Sequence, residues 1–80
     1  MRVVIIPPLD KELFGGKDRF ELEAGNLFGI IAQLGALSPG FASIADARVG
    51  LAIDGVVTAD WSASLANAQE IIVLPRVGGG

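Results

Sequence analysis

Two continuous apolar runs, Val3-Val4-Ile5-Ile6 and Ile71-Ile72-Val73-Leu74, lie near opposite ends of the chain. Both are mostly β-branched and too short for helices, so each predicts a strand in the middle of a sheet. Pro7-Pro8 ends the first run, because proline has no N–H to give to a ladder. Leu9 to Lys17 reads as a loop with one helical turn at Asp10-Lys11-Glu12-Leu13-Phe14, closed by Gly15-Gly16. Arg19-Phe20-Glu21-Leu22-Glu23 alternates polar and apolar, the mark of a half-buried strand, and Ala24-Gly25 breaks it.

The period then changes. Asn26 is a good N-cap, Leu27, Ile30, Ile31 and Leu34 recur at helical spacing, and Gly35 predicts the stop. Leu37 to Ala47 reads as a loop around Ser38-Pro39-Gly40, with a helical turn at Phe41 to Ala45. Val49, Leu51 and Ile53 share one face of the next strand. Asp54-Gly55 is a hairpin signal, and Val56-Val57 starts the return strand. The order is strand, strand, helix, strand, strand, strand. With one main helix, the economical packing is α+β: a mixed sheet with that helix across one face, the β-grasp arrangement. Alternate residues of the first and last strands must then point away from the helix.

Composition sharpens that expectation. In 80 residues, 51% are hydrophobic, and the mean hydropathy is +0.57. A chain of this size buries only about 60% of its unfolded surface, so an apolar patch is expected on the uncovered sheet face. The net charge of −3, from six basic and nine acidic residues, leaves no basic stripe for nucleic acid. The chain has no cysteine and no histidine. Disulfides, thiolate catalysis and Cys-ligated metal are therefore excluded, and Ser38, Ser43, Ser62 and Ser64 have no imidazole to activate them. Asp46, Asp54, Asp60 and Glu70 fall at expected turns and strand ends, where solvated acids are the norm. Trp61 reads as a core or edge packing residue before an interface anchor. No stretch approaches the roughly 18 apolar residues of a membrane span. Met1 to Pro8 lacks the long apolar core of a signal peptide, so a soluble, cytoplasmic protein is expected.

The sequence ends with Pro75-Arg76-Val77-Gly78-Gly79-Gly80. Glycines leave nothing to fill a narrow channel and restrict φ/ψ least. Four extended residues reach about 13 Å, at roughly 3.3 Å each, enough to carry a carboxylate through the wall of another protein's active site. The expected organisation is a domain over residues 1–76 and a flexible Gly-rich tail over 77–80.

A one-helix β-grasp chain of this length with such an ending resembles the ubiquitin-like sulfur carriers (MoaD/ThiS-like), the family of the molybdopterin synthase small subunit and the thiazole-pathway carrier. The residues that carry the resemblance are Glu12-Leu13-Phe14-Gly15-Gly16, Ile53-Asp54-Gly55-Val56-Val57, Glu70 to Pro75 and Val77 to Gly80. The resemblance implies a carrier with no catalytic residues of its own. A partner adenylating enzyme, using ATP and Mg²⁺, would join AMP to the Gly80 carboxylate. Sulfur from a persulfide would displace AMP and leave a thiocarboxylate. A sulfur-acceptor enzyme, such as a molybdopterin synthase large subunit or a thiazole synthase, would take the sulfur. Gly78 and Gly79 would thread the partner's active site, with Arg76 and Val77 as candidate partner contacts.

The chain also departs from the family pattern. Ile5-Ile6-Pro7-Pro8 stands where the molybdopterin subunit has aromatic residues, Glu70 follows Ala68-Gln69 rather than a second acid, and three glycines replace two. The resemblance thus implies the carrier class and not one pathway. A protein modifier conjugated through Gly80 and a non-covalent β-grasp interaction module are the alternatives.

Overall fold

The computed structural model describes residues 1–76. Its elements are β1 (Arg2–Ile5), α1 (Leu9–Leu13), β2 (Arg19–Glu21), α2 (Leu27–Leu37), α3 (Pro39–Arg48), β3 (Val49–Ile53), β4 (Val56–Thr58) and β5 (Glu70–Pro75). The five strands form one sheet in the order β2-β1-β5-β3-β4. β1 runs parallel to β5, and the other neighbours are antiparallel. The fold is α+β and β-grasp-like, with the last strand at the centre of the sheet.

The two apolar runs are interior strands, as their composition predicts, and the ladder fixes which residues face inward. Val3, Ile5, Val49, Leu51, Ile71 and Val73 are buried and form one core with Leu27, Ile30 and Leu34 of α2 and Phe41 and Ala45 of α3. Removing each large side chain of this set from water contributes about 1.5–3 kcal/mol.

Asn26 caps α2 as expected: its side-chain oxygen accepts the Gly29 N–H at 3.1 Å. The helix does not stop at Gly35 but runs to Leu37. Gly35 stays out of the left-handed region, so it gives no C-cap. The helix ends instead at Ser38, which is extended with φ −143° and ψ 100°, the conformation that a following proline imposes. Gly35 serves packing: a Cβ there would lie 3.2 Å from the Ala42 Cβ, so the missing side chain lets α2 and α3 approach.

The segment read as a loop, Leu37 to Ala47, holds a full helix, α3. Pro39 sits at its first turn, where the absent N–H costs nothing and the fixed φ suits a helix. Ala42, Ala45 and Ala47 are strong helix formers. Among the described residues no helix is long and apolar enough to cross a membrane.

β3 and β4 are joined by the expected hairpin. Asp54 and Gly55 both have positive φ, 48° and 87°, as a type I′ turn requires. The Asp54 carboxylate bridges to the start of β5, accepting the N–H groups of Gln69 at 3.0 Å and Glu70 at 2.9 Å.

Candidate functional site

The pleat sends alternate residues to the face opposite the helices. There the register sets Arg19 beside Val4, Val4 beside Ile72, Ile72 beside Ala52 and Ala52 beside Val57. One row crosses all five strands, and four of its five members are apolar. Val4 and Ile72 are partly exposed and Val57 is 69% exposed. This is the apolar outer face that composition demanded, and it is absent from the core that the helices cover.

One step further along β5, Leu74 faces Gly50 of β3. A Cβ on Gly50 would meet Leu74 Cγ at 3.4 Å, so the glycine leaves the Leu74 side chain a shallow seat. A groove of about 440 Å³ opens here, lined by Gly50, Val57, Ala59, Trp61, Leu74 and Arg76 among others. Gly50 is not among the sequence-predicted residues. A lone glycine within a strand pattern was the available signal.

A second groove, about 430 Å³, shares Ala59, Trp61 and Arg76 with the first and is lined by Phe28, Asp46, Asp60 and Ser62 as well. Trp61 is half-buried and packs against the core, the role expected of it, and it also walls both grooves. Its ring meets Phe28 edge-on, with centroids 5.8 Å apart and planes at 77°. Its carbonyl accepts the Phe28 N–H at 3.1 Å, which ties the loop before β5 to the start of α2. Asp60 shapes the same loop, accepting from the Ser62 N–H at 3.0 Å and from the Ser62 hydroxyl. These bonds hold its carboxyl below the ordinary 3.8, the hydroxyl contributing most. The acids therefore act as local caps: Asp54 and Asp60 bind backbone N–H groups, and Glu70 pairs with Arg2 at 2.9 Å.

Arg76 follows the last residue of β5 and is exposed. Its backbone N–H donates to the Arg48 carbonyl at 2.8 Å, and its Nη2 donates to the Val49 carbonyl at 3.3 Å. The strand thus delivers the chain to a fixed point on the surface, where both grooves meet. The other sequence-predicted residues, Val77, Gly78, Gly79 and Gly80, lie outside the described residues. Among the described residues no three His, Cys, Asp or Glu side chains gather as a metal site would need.

The outer face and the grooves offer shape and apolar area. Among the described residues the one hydroxyl paired with a carboxylate there is Ser62 with Asp60, a bond within the loop turn. A chain without histidine or cysteine sets no imidazole or thiolate beside it. No protein-family model matches the chain, and no curated protein matches it.

Proposed function

We propose that this chain is a ubiquitin-like sulfur carrier. A partner enzyme adenylates its Gly80 carboxylate with ATP and Mg²⁺, releasing pyrophosphate. The outer sulfur of a persulfide displaces AMP to form an acyl disulfide. A thiol cleaves that S–S bond, leaving as a disulfide, and the freed thiocarboxylate donates sulfur to the biosynthesis of molybdopterin or a related sulfur-containing cofactor or metabolite. A free carboxylate is a poor acyl electrophile, and the acyl-adenylate gives it a good leaving group. The partners supply positioning and charge stabilisation. The carrier supplies an accessible acyl group and a face to hold, so it is a co-substrate rather than an enzyme.

The observation that carries this reading is where the last strand ends. β5 is the central strand of a sheet with helices on one face, and it finishes at Pro75, which with Arg76 lines an apolar groove. In sequence, only Val77 separates Arg76 from the glycines. A partner seated on the outer face would have them within reach, and a specific partner of ordinary size covers about 800 Å². The test is the mass of the protein after incubation with a cognate adenylating enzyme, ATP, Mg²⁺ and a sulfur donor. One oxygen exchanged for one sulfur at Gly80 supports the carrier. An isopeptide adduct to a lysine in its place would make the chain a protein modifier.

A further inference from the structure

We propose that the groove beside Phe28 and Trp61 receives an arginine side chain of a partner protein, whether or not the chain is a carrier. Four of the groups that line it suit a flat cation: the Phe28 and Trp61 rings and the carboxylates of Asp46 and Asp60. Phe28 stands in the first turn of α2 and is 56% exposed, although its ring meets Trp61 edge-on. An aromatic ring this open can take a guanidinium on its face. The planar group stacks there while its N–H groups donate sideways to carboxylates.

Both carboxylates keep acceptor capacity. Asp60 takes the two Ser62 bonds through the same oxygen, Oδ1, which leaves Oδ2 open. The ion pairs among the described residues use Glu12, Glu21, Glu23 and Glu70, and neither aspartate. Asp46 lies in the last turn of α3, where the helix dipole disfavours an anion. Arg48, two residues on, pairs with Glu12 at 3.5 Å instead. A charge that breaks a local rule with no gain inside the chain points to function. Arg76 also lines the groove, but its Nη2 donates to the Val49 carbonyl, and it pairs with neither aspartate. Two carboxylates against one guanidinium leave the groove negative, and the net charge of −3 adds a field of the same sign.

The probe is a Gly-Arg-Gly peptide, acetylated and amidated at its ends. Its counterparts carry citrulline, which is flat and neutral, or glutamate in place of arginine. Trp61 is the single tryptophan, so its emission reads the groove, and backbone NMR shifts locate the contact. The proposal expects a saturable change with the arginine peptide, shifts centred on Phe28, Asp46, Asp60 and Trp61, and little response to the other two. Asp46→Asn should weaken binding about twofold to fivefold, the measure of one exposed ion pair. Its Tm should equal or exceed that of wild type, because the anion leaves the helix end. No saturable change with millimolar arginine peptide overturns the proposal, as does equal binding of the citrulline peptide. Binding of the glutamate peptide instead overturns it and makes Arg76 the recognition group. A lower Tm for Asp46→Asn with unchanged binding shows a structural carboxylate and also overturns it.

Discussion

The carboxylate of Asp54 accepts the backbone N–H of Glu70 at 2.9 Å, across 16 residues of sequence. The same oxygen takes the Gln69 N–H at 3.0 Å, and the Asp54 N–H returns to the Glu70 carbonyl at 2.9 Å. A hairpin turn between β3 and β4 thereby starts the central strand β5. One side chain does two jobs there: it tolerates φ 48°, and it caps two donors that the ladder leaves open.

Asp54→Ala removes the acceptor and places a residue poorly suited to positive φ in the turn. A hydrogen bond to a charged group contributes about 1.5–3 kcal/mol, and exposure of this one puts the expected loss near the lower end, about 1–2 kcal/mol. For a domain of this size that lowers Tm by roughly 4–16 °C. Asp54→Asn keeps an acceptor and the turn conformation and loses less. Thermal unfolding followed by circular dichroism checks the order. Equal Tm values for Asp54→Ala and wild type would remove the bridge from the account.

Neighbouring residues of β5 must differ sharply, because the pleat sends Ile71 into the core and Ile72 to the outer face. Ile71→Ala should cost about 2–5 kcal/mol, the usual range for emptying a fully buried aliphatic site. Ile72→Ala should cost less than half as much. Val57→Glu, at a position 69% exposed, should stay within about 0.5 kcal/mol of wild type while weakening any partner that sits on the outer face. Urea titration orders the three. A large loss for Ile72→Ala would mean that a second layer covers that face.

Gly29 lies within α2, and a Cβ built there would stand 2.7 Å from the Ala24 Cβ. Helix propensity alone favours Gly29→Ala by about 1 kcal/mol. The contact forces a shift, so Gly29→Ala should destabilise the protein instead. Ala24→Gly should restore it, leaving a coupling of about 0.5–3 kcal/mol in a double-mutant cycle. Additive effects would show that the two sites do not touch.

Asp60 gives the pH prediction. Its carboxyl is held below 3.8, first by the Ser62 hydroxyl and then by the Ser62 N–H. A depressed folded-state value adds stability above the unfolded value, and that stability is lost as pH falls through the folded value. Ser62→Ala removes the larger cause, so Asp60 should titrate closer to 3.8 in that variant. Carboxyl carbon shifts followed by NMR between neutral and acid pH measure this. A titration that does not move in Ser62→Ala would contradict the hydroxyl bond.

Much of the architecture was legible because it rests on local signals. The β-branched runs at Val3 and Ile71, the cap at Asn26 and the Asp54-Gly55 turn each name their own conformation. α3 was not legible, since Pro39-Gly40 carries the signature of a turn and only two of its residues, Phe41 and Ala45, are buried. The run to Leu37 was hidden because Gly35 looks like a cap and is a packing residue. At the candidate site, the outer apolar face followed from composition and alternation. The groove did not, because it forms only when β3, β4 and the Trp61 loop are brought beside Leu74 and Arg76, and register cannot be read from either strand alone.

The central claim is that Gly80 accepts sulfur, and the most direct measurement is the intact mass of the protein with fragment assignment of its last residues. After reaction with an adenylating enzyme from its own source, ATP, Mg²⁺, a persulfide donor and a thiol reductant, the account predicts a gain equal to one oxygen-to-sulfur exchange, located on Gly80. It predicts no gain in a Gly79→Trp variant whose circular dichroism spectrum matches wild type, because the indole would block a narrow channel. A wild-type mass that never changes, with no acyl-adenylate trapped under the same conditions, would contradict the carrier account and leave a β-grasp interaction module.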